Sequence, residues 1–218
     1  LKPVLIDSDL KTWNVNPDQL IKKISKKTKA IIITHIYGFP VDMKKILFIA
    51  KQKDIKIIED SAEMIGQTYF NKKCGSFGDL SVFSFYANKH ITTGEGGSIL
   101  TNDKKIDSFV KIYRNHGIEK NEKLTLTKGL WYYEMNKLGY NYRITDFQCA
   151  LGISQLSKLD TFIKKRNLKA IGYNKIFKNN EKFITPFVSK NVNHSYHIYP
   201  LKINFVKTKT NKKKLFIN

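Results

Sequence analysis

The sequence predicts an α/β protein built on a mostly parallel sheet flanked by helices. Three observations carry that prediction. Short runs rich in β-branched residues end at turn residues, helical spacing separates them, and the order strand, helix, strand, helix, strand opens the chain. With 218 residues, 41% of them hydrophobic and 12% aromatic, the chain can bury a sizeable core.

Pro3-Val4-Leu5-Ile6-Asp7 reads as a strand that starts almost at residue one, so the chain is expected to begin inside a domain. Asn16-Pro17-Asp18 places a cap and a helix-starting proline before Leu20, Ile21 and Ile24. Ala30 to Thr34 is a second, buried strand, stopped by Gly38 and Pro40. His35, at its end, either faces a ligand or is satisfied by backbone groups. Asp42 can cap the helix implied by Met43, Ile46, Leu47 and Ala50. Ile55 to Glu59 forms the third strand and ends at Asp60, where ligands bind in parallel α/β sheets.

Gly75, Gly78 and Asp79 mark a turn before a strand over Leu80 to Phe85, and Gly94, Gly96 and Gly97 precede another over Ser98 to Thr101. Beyond Lys104 the pattern is helical: Ile106, Phe109, Val110 and Tyr113 share a face, and a long helix begins near Thr145. His197 to Phe205 alternates like a strand. The expected division is a large domain over residues 1–165, lacking its N-terminal part, and an incomplete C-terminal domain over 166–218.

The formal charge of +21 ordinarily suggests an acidic partner. Here Arg114, Arg143 and Arg166 are the only arginines, and the lysines are spread throughout, which reads as a compositional bias. Base-reading proteins lean on arginine, and no recognition helix, zinc spacing or RNA-binding signature accompanies the charge. Nucleic acid is therefore not expected as the partner. Cys74 and Cys149 have neither CxxC nor metal-ligand spacing, and no signal peptide is visible, so a reduced cytoplasmic setting is expected. The longest apolar run, Ile46 to Ala50, falls far short of the roughly 20 residues that span a bilayer. The glycine turn at Gly94–Gly97 lacks the lysine-serine ending of a P-loop.

Asp60 at one strand end and Lys89 just past the next apolar strand form the pairing that pyridoxal phosphate chemistry needs. A lysine reaches the cofactor aldehyde, and an acid keeps the pyridine nitrogen protonated. Each residue also has a plainer reading, Asp60 as a helix cap and Lys89 as a solvated surface lysine.

Ile57-Ile58-Glu59-Asp60-Ser61-Ala62-Glu63, Ser81 to Lys89 and Leu138-Gly139-Tyr140-Asn141-Tyr142-Arg143 together resemble the DegT/DnrJ/EryC1/StrS family of nucleotide-sugar aminotransferases. The resemblance covers Pro3 to about Pro200. It implies a fold-type I large domain, pyridoxal 5'-phosphate as cofactor, and a homodimer with shared active sites. It assigns the cofactor linkage to Lys89 and cofactor contacts to Asp60, Ser84 and Asn141, the last across the dimer interface. Glu63 departs from the histidine or glutamine that many members place near the ring hydroxyl.

Some members that dehydrate instead of aminating carry histidine at the lysine position, so Lys89, with His90 beside it, favours amino transfer. The implied reaction moves an amino group from L-glutamate to the 4-keto group of a nucleotide-linked 6-deoxy sugar. Trp131-Tyr132-Tyr133-Glu134 and His197-Ile198-Tyr199-Pro200 look most like the UDP-sugar branch leading to pseudaminic acid; the alternative is the GDP-perosamine branch. The family's N-terminal phosphate-binding segment and stacking aromatic are missing from the 218 residues, so the chain is expected to be a fragment. The competing class is a non-catalytic lysine-rich protein that binds anions or nucleic acid.

Overall fold

The computed structural model describes residues 1–119 and 122–217, without the side chains of Glu122 and Leu124. Its centre is a four-stranded sheet in the order β1 (Ala30–Thr34), β2 (Lys56–Asp60), β3 (Leu80–Ser84), β4 (Gly97–Thr101). The first three strands are parallel, with Thr34 opposite Asp60 and Asp60 opposite Val82. β4 runs antiparallel to β3, so the sheet is mixed. That pairing needs no crossover helix, and residues 85–96 join the two strands as an irregular loop carrying Lys89.

Helix α1 (Pro17–Lys23) leads into β1, and α2 (Met43–Gln52) makes the crossover from β1 to β2. Asn16 accepts from the Asp18 and Gln19 amides at 3.0 and 3.1 Å, and Asp42 accepts from the Lys44 amide, so both expected caps form. Leu20, Met43, Ile46 and Ala50 pack with Ile31, Ile33 and Ile57 into the main core. Burial alternates along β1, which leaves Ile32 67% exposed on the other face. Strand register puts Val82, Asp60 and Thr34 on that second, open face.

α3 (Lys104–Tyr113) follows β4, with Asp103 as its cap. α4 (Asp146–Leu156) starts in a capping box, Thr145 and Gln148 serving each other's amides. The expected long helix breaks at Ser157–Lys158, and α5 (Leu159–Phe177) follows as a separate helix. Leu159 and Ile163 of α5 crowd Gly66, holding α5 against the turn that follows β2.

Two expected strands are not observed. Residues 3–7 are without regular structure; the region is tied down by the isolated bridge Ser8 to Val15, by the Asn16 amide donating to the Asp7 carbonyl at 3.1 Å, and by Ile6 packing against the main core. Between His197 and Phe205 only Lys202–Ile203 is strand, paired with Phe183–Ile184. Side chains capture the carbonyls of residues 194–197, so His197, where the expected strand begins, joins no ladder.

Candidate active site

The site lies beyond the carboxyl ends of β2 and β3. Asp60 closes β2, and its Oδ1 accepts from the Ala62 amide at 3.2 Å while Oδ2 lies 3.5 Å from Thr34 Oγ1. Among the described residues no cation pairs with this carboxylate. Ser84 closes β3 on the same face as Asp60 by alternation, and its Oγ accepts from the Tyr86 amide at 3.3 Å. Both residues therefore stand at adjacent strand ends, facing one side of the sheet.

Glu63 organises the next layer. Its Oε2 accepts from the Tyr37 amide at 2.5 Å. Its Oε1 lies 3.5 Å from Lys89 Nζ and 3.5 Å from His197 Nε2. The Lys89 and Glu63 side chains are only 14% and 20% exposed, so this lysine is not one of the many solvated ones. Gly38 makes the approach possible: with φ +78°, a Cβ there would lie 3.2 Å from both the Glu63 carbonyl and the His197 amide nitrogen.

His90, His194 and His197 are all buried. His90 Nε2 donates to the Ser195 carbonyl at 3.3 Å, since a carbonyl only accepts. Burial, helped by the positive charge of Arg166, pushes the His90 imidazole down to about 3. Burial alone takes His194 down to about 4. His197 is also lowered by burial, with Glu63 pulling the other way and Lys89 and Arg166 adding to the fall. The His90 and His194 rings are neutral near pH 7.

His35 settles into the second of its two sequence readings. The Val41 amide donates to Nδ1 at 3.0 Å, so Nε2 carries the hydrogen and meets Glu59 Oε2 at 3.1 Å. It is a core histidine.

Asn141 is not brought to Lys89. It sits exposed in an isolated bridge with Asn115, and among the described residues its side chain has no hydrogen-bond partner. Its loop is tightly seated all the same. Gly139 passes so close to Gly117 that a Cβ would meet the Gly117 nitrogen at 2.0 Å, and Arg143 donates to Asn115 Oδ1 at 2.9 Å. Gln148 ties the start of α4 to the glycine turn through the Glu95 carbonyl at 2.8 Å.

Sequence reasoning missed His197 and Tyr37 as partners of Glu63. Tyr37 has φ +59°, a local conformation with no sequence signal, while the His194-x-x-His197 spacing before Pro200 was the available hint.

The donor set fits the cofactor that the sequence resemblance implies. A carboxylate free of any cation stands at a strand end, and a shielded lysine stands nearby with a carboxylate as its polar contact. Among the described residues no group of three His, Cys, Asp or Glu side chains could hold a metal, and no helix is long and apolar enough to cross a membrane.

Comparison with known proteins gives the same direction. The GDP-perosamine synthase of Escherichia coli O157:H7 is 40% identical over 79% of this chain and 45% of its own length. The UDP-4-amino-4,6-dideoxy-N-acetyl-beta-L-altrosamine transaminase of Campylobacter jejuni is 39% identical over 86% of this chain and 49% of its own. PseC of Helicobacter pylori, an aminotransferase involved in the biosynthesis of pseudoaminic acid, superposes with a TM-score of 0.86 at 33% identity, over 95% of this chain and 54% of its own. The chain thus spans about half the length of the curated relatives it matches. The family match runs from residue 1 to residue 217, and the chain belongs to the DegT/DnrJ/EryC1/StrS aminotransferase family, whose cofactor is pyridoxal 5'-phosphate.

Proposed function

We propose that the complete protein moves an amino group from L-glutamate to the 4-keto group of a nucleotide-linked 6-deoxy sugar, UDP-linked and on the route to pseudaminic acid. The observation that carries this reading is the shielded Lys89 Nζ, 3.5 Å from Glu63 and just past the strand ends that present Asp60 and Ser84. The Campylobacter and Helicobacter relatives support the UDP-sugar branch; the Escherichia relative keeps a GDP-perosamine reaction as the second reading.

When bound, the cofactor supplies the electron sink for amino transfer. Lys89 would be the nucleophile toward the cofactor aldehyde, and its Nζ would hold and move the proton between amino donor and acceptor. Asp60 would keep the ring nitrogen protonated, Glu63 would meet the ring hydroxyl side, and Ser84 would donate its hydroxyl to the phosphate. Asn141 would reach the phosphate of a second copy, which fits its exposed place away from Lys89. The protein would act in the cytoplasm as a homodimer with shared sites. Residues 1–165 would belong to the large domain and 166–218 to the start of the small one, a division that falls within α5.

The test is an absorbance spectrum of the complete protein with pyridoxal phosphate, then with glutamate, for wild type and Lys89→Ala. A visible cofactor band that requires Lys89 and disappears with glutamate is expected. A band indifferent to Lys89→Ala overturns the assignment. Absence of any band, together with salt-sensitive DNA affinity, would favour the lysine-rich binding class.

A further inference from the structure

The segment His194–His197 is held in an unusual way. It belongs to no helix or strand, yet each of its four carbonyls accepts a hydrogen bond from a side chain. Asn167 Nδ2 donates to the His194 carbonyl at 2.9 Å, and His90 Nε2 to that of Ser195 at 3.3 Å. One nitrogen of Arg166 donates to the carbonyls of Tyr196 and His197, at 3.0 and 2.9 Å. Gln67 Oε1 accepts from both the amide and the hydroxyl of Ser195, each at 2.9 Å.

This grip holds a strained backbone. Tyr196 has φ +49°, a left-handed conformation that costs a non-glycine residue free energy and persists only where surrounding contacts impose it. The bend it creates delivers the His197 ring to Glu63, which in turn meets Lys89. Arg166 has no carboxylate partner among the described residues, and burial lowers the stability of its charged form. A half-buried guanidinium spent on two carbonyls of one bend is placed to hold that bend.

We propose that Arg166 is a positioning residue of the candidate site: by gripping the Tyr196 and His197 carbonyls it holds the His197 imidazole against Glu63, and so orients the carboxylate that faces Lys89. The significance beside Lys89 rests on the aminotransferase reading above; the link from Arg166 to His197 and Glu63 does not.

The test is a double-mutant cycle read by NMR titration of the His197 imidazole in the histidine-labelled complete protein, first without and then with cofactor. The charged groups facing His197 are Glu63, Lys89 and Arg166, with the His90 ring 5.4 Å away. In the wild-type background, Glu63→Gln removes the one group that raises His197 and lowers its midpoint by about one pH unit. In the Arg166→Gln background, His197 is released, its midpoint moves up toward that of a solvated histidine, and Glu63→Gln then shifts it by less than about 0.3 unit.

Arg166→Lys retains the charge but lacks the planar fork, and it serves as the background if Arg166→Gln does not fold; the coupling is expected to fall there too. A Glu63→Gln shift of equal size in the wild-type and Arg166-substituted proteins would overturn the proposal. Because the cofactor-free titration needs no amino transfer, that outcome is separable from a failure of the functional reading.

Discussion

Glu59 Oε2 meets His35 Nε2 at 3.1 Å with both side chains wholly buried, and the same carboxylate accepts the amides of Gly75 at 3.0 Å and of Phe77 and Gly78 at 2.6 Å each. One acid on the buried face of β2 thus fixes the turn leading into β3. Removing it strands three amides and a ring N–H. Glu59→Ala is expected to cost about 3–5 kcal/mol, and Glu59→Gln somewhat less, as falls in chemical-denaturation midpoint.

The pH dependence of stability follows from the same carboxylate. Burial works to raise its proton affinity, but the His35 hydrogen bond and the Gly78 and Phe77 amides outweigh it, so the folded value lies below the ordinary 4.5. A lowered acid stabilises the fold above its unfolded value and loses that contribution as pH falls through the folded one. Denaturation midpoints should therefore drop on acidification below about pH 4.5, and Glu59→Gln should flatten that portion of the curve. An unchanged acid limb in the variant would mean that other carboxylates drive acid unfolding.

Asp60 is expected to separate function from stability. Its side chain is bonded only to the Ala62 amide and, loosely, to Thr34. Asp60→Asn can keep an oxygen toward the Ala62 amide, so thermal stability should change by less than about 1 kcal/mol. Amino transfer in the complete protein should fall by about a hundredfold or more, because an amide does not hold the ring nitrogen protonated. Activity within tenfold of wild type would remove Asp60 from that role.

The sheet and its caps were legible because local chemistry determines them. The β-branched run at Ala30–Thr34 and the capping groups of Asn16, Asp42 and Thr145 act within a few residues of themselves. The position of Asp60 at the end of β2 was legible for the same reason, and that of Lys89, in the loop beyond β3, followed from the apolar strand before it and the glycine turn after it. His197 was not, because the bonds that bend its segment come from Gln67, His90, Arg166 and Asn167, and the Gln67–Ser195 pair alone spans 128 positions. Alternation across residues 197–205 imitates a strand, whereas the side-chain captures decide the path at its start, His194–His197. Residues 3–7 mislead in the same sense, since their pattern is strand-like and they join no strand of the sheet.

Gly38 offers a local test of the site's packing. Ala there meets both a left-handed φ of +78° and neighbours at 3.2 Å that belong to Glu63 and His197. The conformational cost alone is about 1–2 kcal/mol, or a fall of several degrees in melting temperature. The larger effect should be on function, as the intruding methyl pushes the Glu63 and His197 backbones apart. Gly38→Ala should lower kcat more than the equally strained Gly94→Ala, where φ is +79° and a Cβ meets nothing within 4 Å. Equal losses in the two variants would trace the defect to backbone strain alone.

The two cysteines report on different surfaces. Cys74 is buried, and burial, with the Glu59 charge beside it, pushes its thiol up to about 12. Cys149 is exposed on α4, whose Phe147 and Ile153 are 91% and 71% exposed. A thiol reagent at pH 8 should therefore modify Cys149 of the isolated 218-residue chain promptly and Cys74 only on unfolding. Native labelling of Cys74 would reveal local opening of the small core it shares with Met64 and Phe83. In the complete protein, a second copy seated on the α4 face should slow Cys149 labelling, and dilution should restore it. Fast, dilution-independent labelling would show that Asn141 and α4 do not meet a second copy, and the shared-site part of the functional proposal would fail with it.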